Sequence, residues 1–288
     1  MNNNNTVPPN YTPLPAAPQQ PGPGLHQTSH DKLRPGRVHG VLTLQLTAID
    51  PVRVGTGGLF PVQVSGRQVL AGDLIMRKGG PLLPGSSLKG VARSAFEAIA
   101  GGCELNRPCN PPCVACQLFG FVQQREHFAG RVGIDDAQLL RGSMVKILCY
   151  NLPKAFAPRR MLGRRVYGRA TPGALSSVPT LAAASGSVFE TRVQMTNLSP
   201  GEAGLFALSL GLDGSFCPRV GGGKYHGFGR VRARLVGARL RPQGYAAPPQ
   251  ALGEEAAQEE LQRWLNAAQL SPDGQAALNV LRATLGGP

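Results

Sequence analysis

The chain has 288 residues and a formal net charge of +14, with 30 Lys and Arg residues against 16 Asp and Glu. This excess favours a polyanionic partner, although a basic ribosomal or membrane-surface protein would give the same total. No apolar run of about eighteen residues occurs and no secretory signal is evident, so we expect neither a transmembrane helix nor export. Six cysteines without an export signal indicate a cytoplasmic protein, in which clustered thiols more often bind metal than form disulfides.

The first part of the chain divides into a tail and a strand. Residues 1–37 are rich in Asn, Pro, Gln and Gly and carry few apolar side chains, which predicts a disordered or loosely docked tail. Residues 38–49 alternate apolar and polar side chains and predict a strand. Residues 59–70 are consistent with a short hairpin.

A helix is predicted after the sequence Pro-Gly-Ser-Ser-Leu-Lys-Gly, residues 84–90. Apolar residues recur at helical spacing from Leu88 to Ile99, and Ser86 or Ser87 is suited to cap the N-terminus. Lys89 and Arg93 share another face of this helix. Cap hydroxyls, a flexible glycine and a nearby lysine indicate an anion site, and the alternative is a capped amphipathic helix with two solvated cations.

Four cysteines follow in a turn-rich insertion, residues 101–128. Cys103, Cys109, Cys113 and Cys116 lie within fourteen residues, and the last two have the Cys-x2-Cys spacing of zinc sites. We predict a closed, structural Zn²⁺ site, in which His127 could replace one cysteine; unligated thiols and a disulfide are the alternatives. Cys149 and Cys217 stand apart and are interpreted as buried small hydrophobic residues.

The middle of the chain is basic. Arg131 lies at a turn into a strand, where its side chain could face a ligand. Further strands are predicted near 141–150 and 187–196, and residues 151–180 form a long insertion between them. Cations in it are interleaved with Phe156 and Tyr167, a pattern typical of single-stranded nucleic-acid binding, and the alternative is a solvated loop. The candidate RNA contacts in this insertion are Lys154, Arg159, Arg160, Arg164 and Arg165.

A glycine-rich stretch, Val220–Val231, joins a predicted helix near 201–211 to a predicted strand at 231–240. Glycines there permit positive φ and a close approach of a ligand to the backbone. We interpret the stretch as a phosphate-binding loop, although many such loops are only tight turns. Its candidate RNA contacts are Gly222, Gly223, Lys224, His226 and Arg230. A Pro-rich linker and two amphipathic helices complete the chain as an appendage, residues 241–288.

The order of elements predicts an α+β fold with a ferredoxin-like β-α-β-β-α-β core, an RRM-like architecture. This core domain would span residues 38–240 and carry the zinc-finger insertion and the thumb-like basic insertion. Long, charged insertions within one domain usually have a function.

Four motifs in this order resemble the RAMP proteins of CRISPR effectors. They are Leu83–Gly90 with Arg93, Cys113–Gly120, Arg131–Ala137 and Gly221–Arg230. More narrowly, the chain resembles a Cas7 (Csm3-like) backbone subunit of a type III (III-D- or III-E-like) or type VII complex. The resemblance covers roughly residues 38–240 and leaves out the tail and the C-terminal helices.

The resemblance implies copies of the chain stacked along a crRNA, with a thumb that interrupts the guide–target duplex and a structural zinc finger. It implies as partners crRNA, complementary target RNA, further copies of the chain, other Cas subunits such as a Cas5-like one, and in some systems a separate nuclease. The guide would be read through its backbone, and base pairing would supply specificity.

Whether the chain cleaves RNA stays open at this point. Type III relatives carry a catalytic Asp shortly before the Pro-Gly-Ser-Ser motif, and Asp73 stands near that position with Mg²⁺ or Mn²⁺ as the implied cofactor. The residues around it depart from the usual pattern, and a turn residue is the alternative. A non-catalytic subunit that recruits a nuclease is the second hypothesis. A Cas6-like repeat-processing endoribonuclease with His226 as its base is a remote third.

Overall fold

The computed structural model describes residues 11–24, 29–64, 66–78, 80–103, 109, 112–122, 127–150, 164–168, 176–242 and 247–286. The strands are β1 (Tyr11–Leu14), β2 (Val38–Ala48), β3 (Leu59–Val64), β4 (Arg67–Gly72), β5 (Met76–Arg77), β6 (Gly80–Leu83), β7 (Gly120–Val122), β8 (His127–Ala129), β9 (Val132–Ile134), β10 (Ala137–Arg141), β11 (Met144–Tyr150), β12 (Arg164–Tyr167), β13 (Ser176–Ala183), β14 (Val188–Leu198), β15 (Val231–Leu240) and β16 (Gln250–Leu252). The helices are α1 (Gly85–Ile99), α2 (Val114–Phe119), α3 (Pro200–Ser209), α4 (Glu254–Ala267) and α5 (Pro272–Leu285).

The central sheet has the ferredoxin-like topology that the sequence predicts. Its strands follow the order β16-β15-β2-β14-β10-β6-β5, and β9 extends the pairing of β14 next to β10. The chain passes through β2, α1, the β9–β10 pair, β14, α3 and β15, which is the β-α-β-β-α-β sequence of elements. Both the predicted fold class and the predicted β15 are therefore confirmed.

One face of this sheet carries the helices and the main core. Alternate residues of β2, from Leu42 to Ala48, are buried against α1 and α3, as expected for a strand with one covered face. α4 packs on α3 and β15, and α5 packs on α1. The C-terminal helices are thus part of the same body, because Trp264 and Leu261 of α4 belong to the main core.

A second sheet, in the order β11-β13-β4-β3, stands beside the first. It is attached where Val52 pairs with Ala183, immediately after β2 and at the end of β13. The predicted hairpin at 59–70 is its β3–β4 edge. The basic insertion leaves and re-enters the domain through β11 and β13, so the second sheet forms the base of that insertion.

The prediction of a disordered tail is wrong for the described part of residues 1–37. β1 pairs with β12, and Leu14 and Ala17 are buried. The Ala17 amide donates to the Ala98 carbonyl at the end of α1 (2.8 Å). Backbone hydrogen bonds contribute to this docking, and the amino-acid composition of a segment does not predict them.

In the described part of the chain, no helix is both long and apolar enough to cross a membrane.

Candidate functional site

The four predicted metal ligands converge on one point. The sulfur atoms of Cys103, Cys109, Cys113 and Cys116 all lie within 4.8 Å of one another, and His127 is not part of this group of described residues. Cys103 follows the end of α1, and Cys113 and Cys116 lie at the start of α2. The sequence spacing and the fold therefore agree on an all-cysteine cluster.

The cluster has the dimensions of a tetrahedral thiolate site. Ligands about 2.3 Å from a central Zn²⁺ stand roughly 3.8 Å apart at tetrahedral angles, and the sulfurs of Cys103 and Cys116 are 3.7 Å apart. Hydrogen bonding from Cys116 lowers the pKa of the Cys113 thiol to about 5. Burial raises the pKa of Cys109 to about 11. The donor set thus fits a structural zinc ion.

Donors from three elements surround the sulfurs. The Cys113 amide donates to the Cys109 sulfur (3.1 Å), and the Gln19 side chain reaches the same sulfur from the N-terminal segment (3.6 Å). The Arg93 guanidinium donates from α1 to the Cys116 sulfur (3.4 Å). Such contacts orient thiolate ligands and offset their negative charge.

Arg93 makes hydrogen bonds within the chain, and the RNA contact predicted for it stays a prediction. All three of its guanidinium nitrogens donate within the chain, to Glu97 (2.8 Å), to the Gly120 carbonyl (2.9 Å) and to Cys116. Burial works against its charge, but the hydrogen bond that Arg93 donates to Glu97 holds the pKa of Arg93 above its ordinary value. The side chain is directed toward the cysteine cluster.

The N-terminus of α1 is closed by a carboxylate from elsewhere in the chain. The helix begins at Gly85 with Pro84 as its N-cap and no side-chain cap, so the predicted capping by Ser86 or Ser87 is wrong. Instead the Gly85 amide donates to Asp136 (2.9 Å), in the link between β9 and β10. Ser86 is exposed, Ser87 and Lys89 are half-buried, and burial lowers the pKa of Lys89. Their RNA contacts stay predictions.

The glycine-rich loop contains a single turn of 3₁₀ helix, Lys224–His226, between two left-handed glycines. Gly223 has φ 73° and Gly227 has φ 81°, values at which a side chain would be strained. The amides of Gly222, Phe228 and Gly229 donate to the carbonyls of Arg53, Gly223 and Pro51. The loop is thus a tight turn held by backbone hydrogen bonds. The Gly222 amide is not available to a phosphate, and the RNA contact of Gly223 stays a prediction.

A buried arginine that the sequence reasoning missed supports this loop from below. Arg219 donates to the carbonyls of Tyr167, Gly168, Gly227 and Phe228, and to Asp50. It therefore connects the loop to β12 and to the end of β2. Its position, two residues before the first glycine of the loop, was the only sequence signal for this role.

Arg230 belongs to the same buried network and is not a free RNA contact. Its guanidinium makes two hydrogen bonds to Asp50, of 2.8 and 3.0 Å, and its side chain is 8% exposed. The prediction of an RNA contact at Arg230 is therefore corrected to an ion pair that holds β15 to the end of β2.

Lys224 is the cation of the loop that faces a cleft. It lines this cleft together with Val91 and Ser94 of α1, Arg165 and Tyr167 of β12, and Arg219. Burial lowers the pKa of Lys224, and the nearby Arg219 lowers it further. Burial also lowers the pKa of His226, which lies beside Phe228. The fold therefore places the glycine-rich loop and α1 on either side of one basic cleft.

The described part of the basic insertion, β12, carries two arginines with different roles. Arg164 is ion-paired with buried Glu97 and has a side chain that is 12% exposed, so its predicted RNA contact is wrong. Arg165 is exposed and stands over the rings of Tyr11 and Tyr167, at 5.5 and 5.8 Å. Lys154, Arg159 and Arg160 lie outside the described residues.

Arg131 is the clearest correction. Its side chain is fully buried; it pairs with both oxygens of Glu202 and donates to the carbonyls of Asn197 (2.8 Å) and Gln117 (3.2 Å). Glu202 in turn completes the capping box of α3 with Ser199. Arg131 therefore ties β9 to α2 and α3 and does not reach a ligand.

Asp73 lies at the end of β4, close to the glycine-rich loop. Its carboxylate accepts hydrogen bonds from the Leu74 amide (2.7 Å) and the Thr56 hydroxyl (3.2 Å). The Arg53 side chain donates to the Asp73 carbonyl (2.7 Å), while the Arg53 carbonyl accepts from Gly222 (2.9 Å). Arg53 thus links the backbone of Asp73 to the loop, and among the described residues Asp73 is not part of a group of three or more potential metal ligands.

Comparison with known proteins shows the family. Among solved structures, the crystal structure of Thermofilum pendens Csc2 is similar with 14% sequence identity and a TM-score of 0.39, and the similarity covers 87% of each chain. No curated protein matches the sequence. The family model described as RAMP superfamily matches residues 45–232, which run from the last part of β2 to the start of β15 and include α1, the cysteine cluster and the glycine-rich loop. The chain belongs to the RAMP superfamily.

Proposed function

We propose that the chain is a crRNA-binding backbone subunit of a CRISPR RNA-guided effector complex, of the Cas7 kind. The observation that carries this proposal is the basic cleft in which Lys224 of the glycine-rich loop faces α1. The two motifs are about 130 residues apart in the sequence, and membership of the RAMP superfamily adds weight to an RNA-binding role. The partners would be crRNA, complementary target RNA, further copies of the chain and other Cas subunits.

The cleft suits a nucleic-acid backbone. Lys224 and Arg165 supply cations to the cleft from two elements that the fold brings together. Lys89 lies on α1, the helix that forms the opposite wall, outside the residues that line the cleft. A phosphate would favour the charged form of Lys224 and Lys89, whose pKa values burial lowers. Arg165 stands over two tyrosine rings, an arrangement in which a cation and π surfaces are presented side by side.

The cysteine cluster would have a structural role. With all four positions filled by thiolates, a zinc ion there would have no open position for chemistry. It would hold together the end of α1, the start of α2 and the N-terminal segment, which Gln19 attaches to Cys109. We therefore assign the metal to folding and not to catalysis.

The test is the salt dependence of crRNA binding in two single variants, Lys224→Gln and Lys89→Gln. Each lost phosphate contact should lower the slope of log affinity against log salt by about 0.7 on a single strand. Arg263→Gln is the matched control, since Arg263 is an exposed cation of α4 paired with Glu260. Slopes that change equally in all three variants would contradict a cleft that binds phosphate.

A second candidate function is cleavage of target RNA at Asp73, and the Arg53 bridge to the loop favours it. Asp73→Asn keeps the size of the side chain and an acceptor for the Leu74 amide but removes its charge. In assembled complexes with Mg²⁺ or Mn²⁺, this variant should bind target RNA normally and leave it uncut. Unchanged cleavage would remove Asp73 from the mechanism, and a wild-type complex that cuts nothing would indicate a subunit that recruits a separate nuclease.

A further inference from the structure

The face of the central sheet opposite the helices is exposed and basic. Four exposed arginines point away from the core: Arg192 of β14 and Arg232, Arg234 and Arg239 of β15. The residues on either side of each one in its strand are buried on the core side. Between these two strands, β2 contributes Thr43, Gln45 and Thr47 to the same face. No helix of the described chain covers it, because α1 and α3 pack on the other side.

The charge of this face is not balanced within the chain. Glu190 is the only acidic residue in β2, β14 and β15. Arg234 pairs with Glu254 at the edge of the sheet, with a side chain that is 65% exposed. Arg192, Arg232 and Arg239 have no ion pair with any residue that the structure describes. Charges that a fold neither buries nor pairs are available to a partner.

The composition of the face distinguishes between kinds of partner. Protein interfaces are centred on buried aromatic and apolar residues, and these three strands present no aromatic residue outward and only two apolar ones, Val41 and the bulge residue Val236. Single-stranded RNA is held by stacking of its bases on aromatic rings, and none stands here. Arginines interspersed with Thr and Gln are the side chains that contact phosphates and sugars of a duplex.

The register gives the size of the patch. Arg232 and Arg239 are seven positions apart on β15, which is roughly 20 Å, and Arg192 is two strands away, roughly 10 Å. Thr43 pairs with Arg192 on one side and Gly237 on the other, so hydrogen-bonding side chains fill the space between the cations. Several phosphates can be contacted at once over this area.

We propose that this open sheet face binds the phosphate backbone of double-stranded RNA, as a second surface separate from the cleft. The face and the cleft lie on different sides of the central sheet, since the cleft is lined by α1. Binding at the face does not require the proposed guide-binding role of the cleft, and the two surfaces can be tested independently.

The experiment measures binding of a blunt RNA duplex and of a single strand of equal length to the full chain across a salt series. The variant Arg232→Gln/Arg239→Gln removes two charges from the face. Its matched control, Arg67→Gln/Arg263→Gln, removes two exposed charges from β4 and α4. We expect the face variant to lower the duplex slope by about 1.4–1.8 and the duplex affinity at least tenfold, with little change for the single strand.

Three results would overturn the proposal. An equal loss in the control variant would show a general effect of net charge. An equal loss for the single strand would show that the face does not select a duplex. Duplex binding that is unchanged, together with a lower oligomer mass in sedimentation, would make the face a protein interface. Failure of the cleft variants with intact duplex binding would count against the guide-binding role alone.

Discussion

Replacement of Arg131 by Met should destabilise the protein by about 3 kcal/mol at neutral pH. Breaking a buried ion pair costs roughly 3–5 kcal/mol, because the remaining charge stays buried without its partner. The remaining charge here is Glu202, which keeps the Ser199 amide (2.8 Å) and the more distant Arg37 (3.5 Å) as partners. Those two contacts place the expected loss at the lower end of the range.

The loss should depend on pH with a defined sign. In the wild type, burial raises the pKa of Glu202, but the hydrogen bonds of Arg131 outweigh it and hold the pKa below its ordinary value. The stability that this pair contributes is therefore present above pH ~4.3 and is lost as the pH falls through the lowered pKa. In Arg131→Met the burial is no longer offset, so the carboxyl protonates more readily and the difference in stability between variant and wild type shrinks as the pH falls.

Urea denaturation at pH 7 and pH 4.5 measures both effects. The chain has one tryptophan, Trp264, which is buried in α4 against α3. Its fluorescence therefore reports unfolding around α3, the helix whose capping box contains Glu202. Arg131→Met/Glu202→Gln is the control, since it removes both charges and should recover much of the loss. A loss below about 1 kcal/mol at pH 7, or a loss of RNA affinity in a stable variant, would refute the structural role of Arg131.

Three further outcomes are expected. Metal analysis should find one zinc per chain, and Cys116→Ser should lose it and lower the melting temperature; a chain without zinc would contradict the site. Arg219→Met should cost about 2–4 kcal/mol and weaken crRNA binding, because it removes the donor to four carbonyls and one of the two arginines that pair with Asp50; unchanged stability would argue against its supporting role. Affinity for crRNA should fall as the pH rises from 7 to 10, since burial places the pKa of Lys224 below its ordinary value, and a Lys224→Gln variant with the same pH profile would contradict this.

Local sequence patterns predicted the elements well where one face of an element is buried. β15 begins and ends where its periodicity indicates, and α1 follows its apolar stripe. The cysteine cluster was also predictable, because ligand spacing constrains a metal site within a few residues. These features depend on neighbours in sequence, and the chain shows them directly.

The roles of the arginines were harder to predict, because a cation does not show its partner in the sequence. Arg131 pairs with Glu202, 71 residues later, and Arg230 pairs with Asp50, 180 residues earlier. An arginine beside a glycine-rich motif therefore looked the same whether it was exposed to RNA or buried in an ion pair. Arg219 lies in no recognisable motif, although its side chain donates hydrogen bonds to four backbone carbonyls.

The pairing of β1 with β12 also determines when the N-terminal segment can dock during synthesis of the chain. Tyr11 pairs with Tyr167, so the first strand leaves the ribosome about 150 residues before its partner. At roughly 5–20 residues per second, the N-terminal segment waits on the order of 10–30 s for its partner strand, and the four cysteines are synthesised during that time. A fusion at the N-terminus that holds this segment back should slow the last step of folding more than one at the C-terminus.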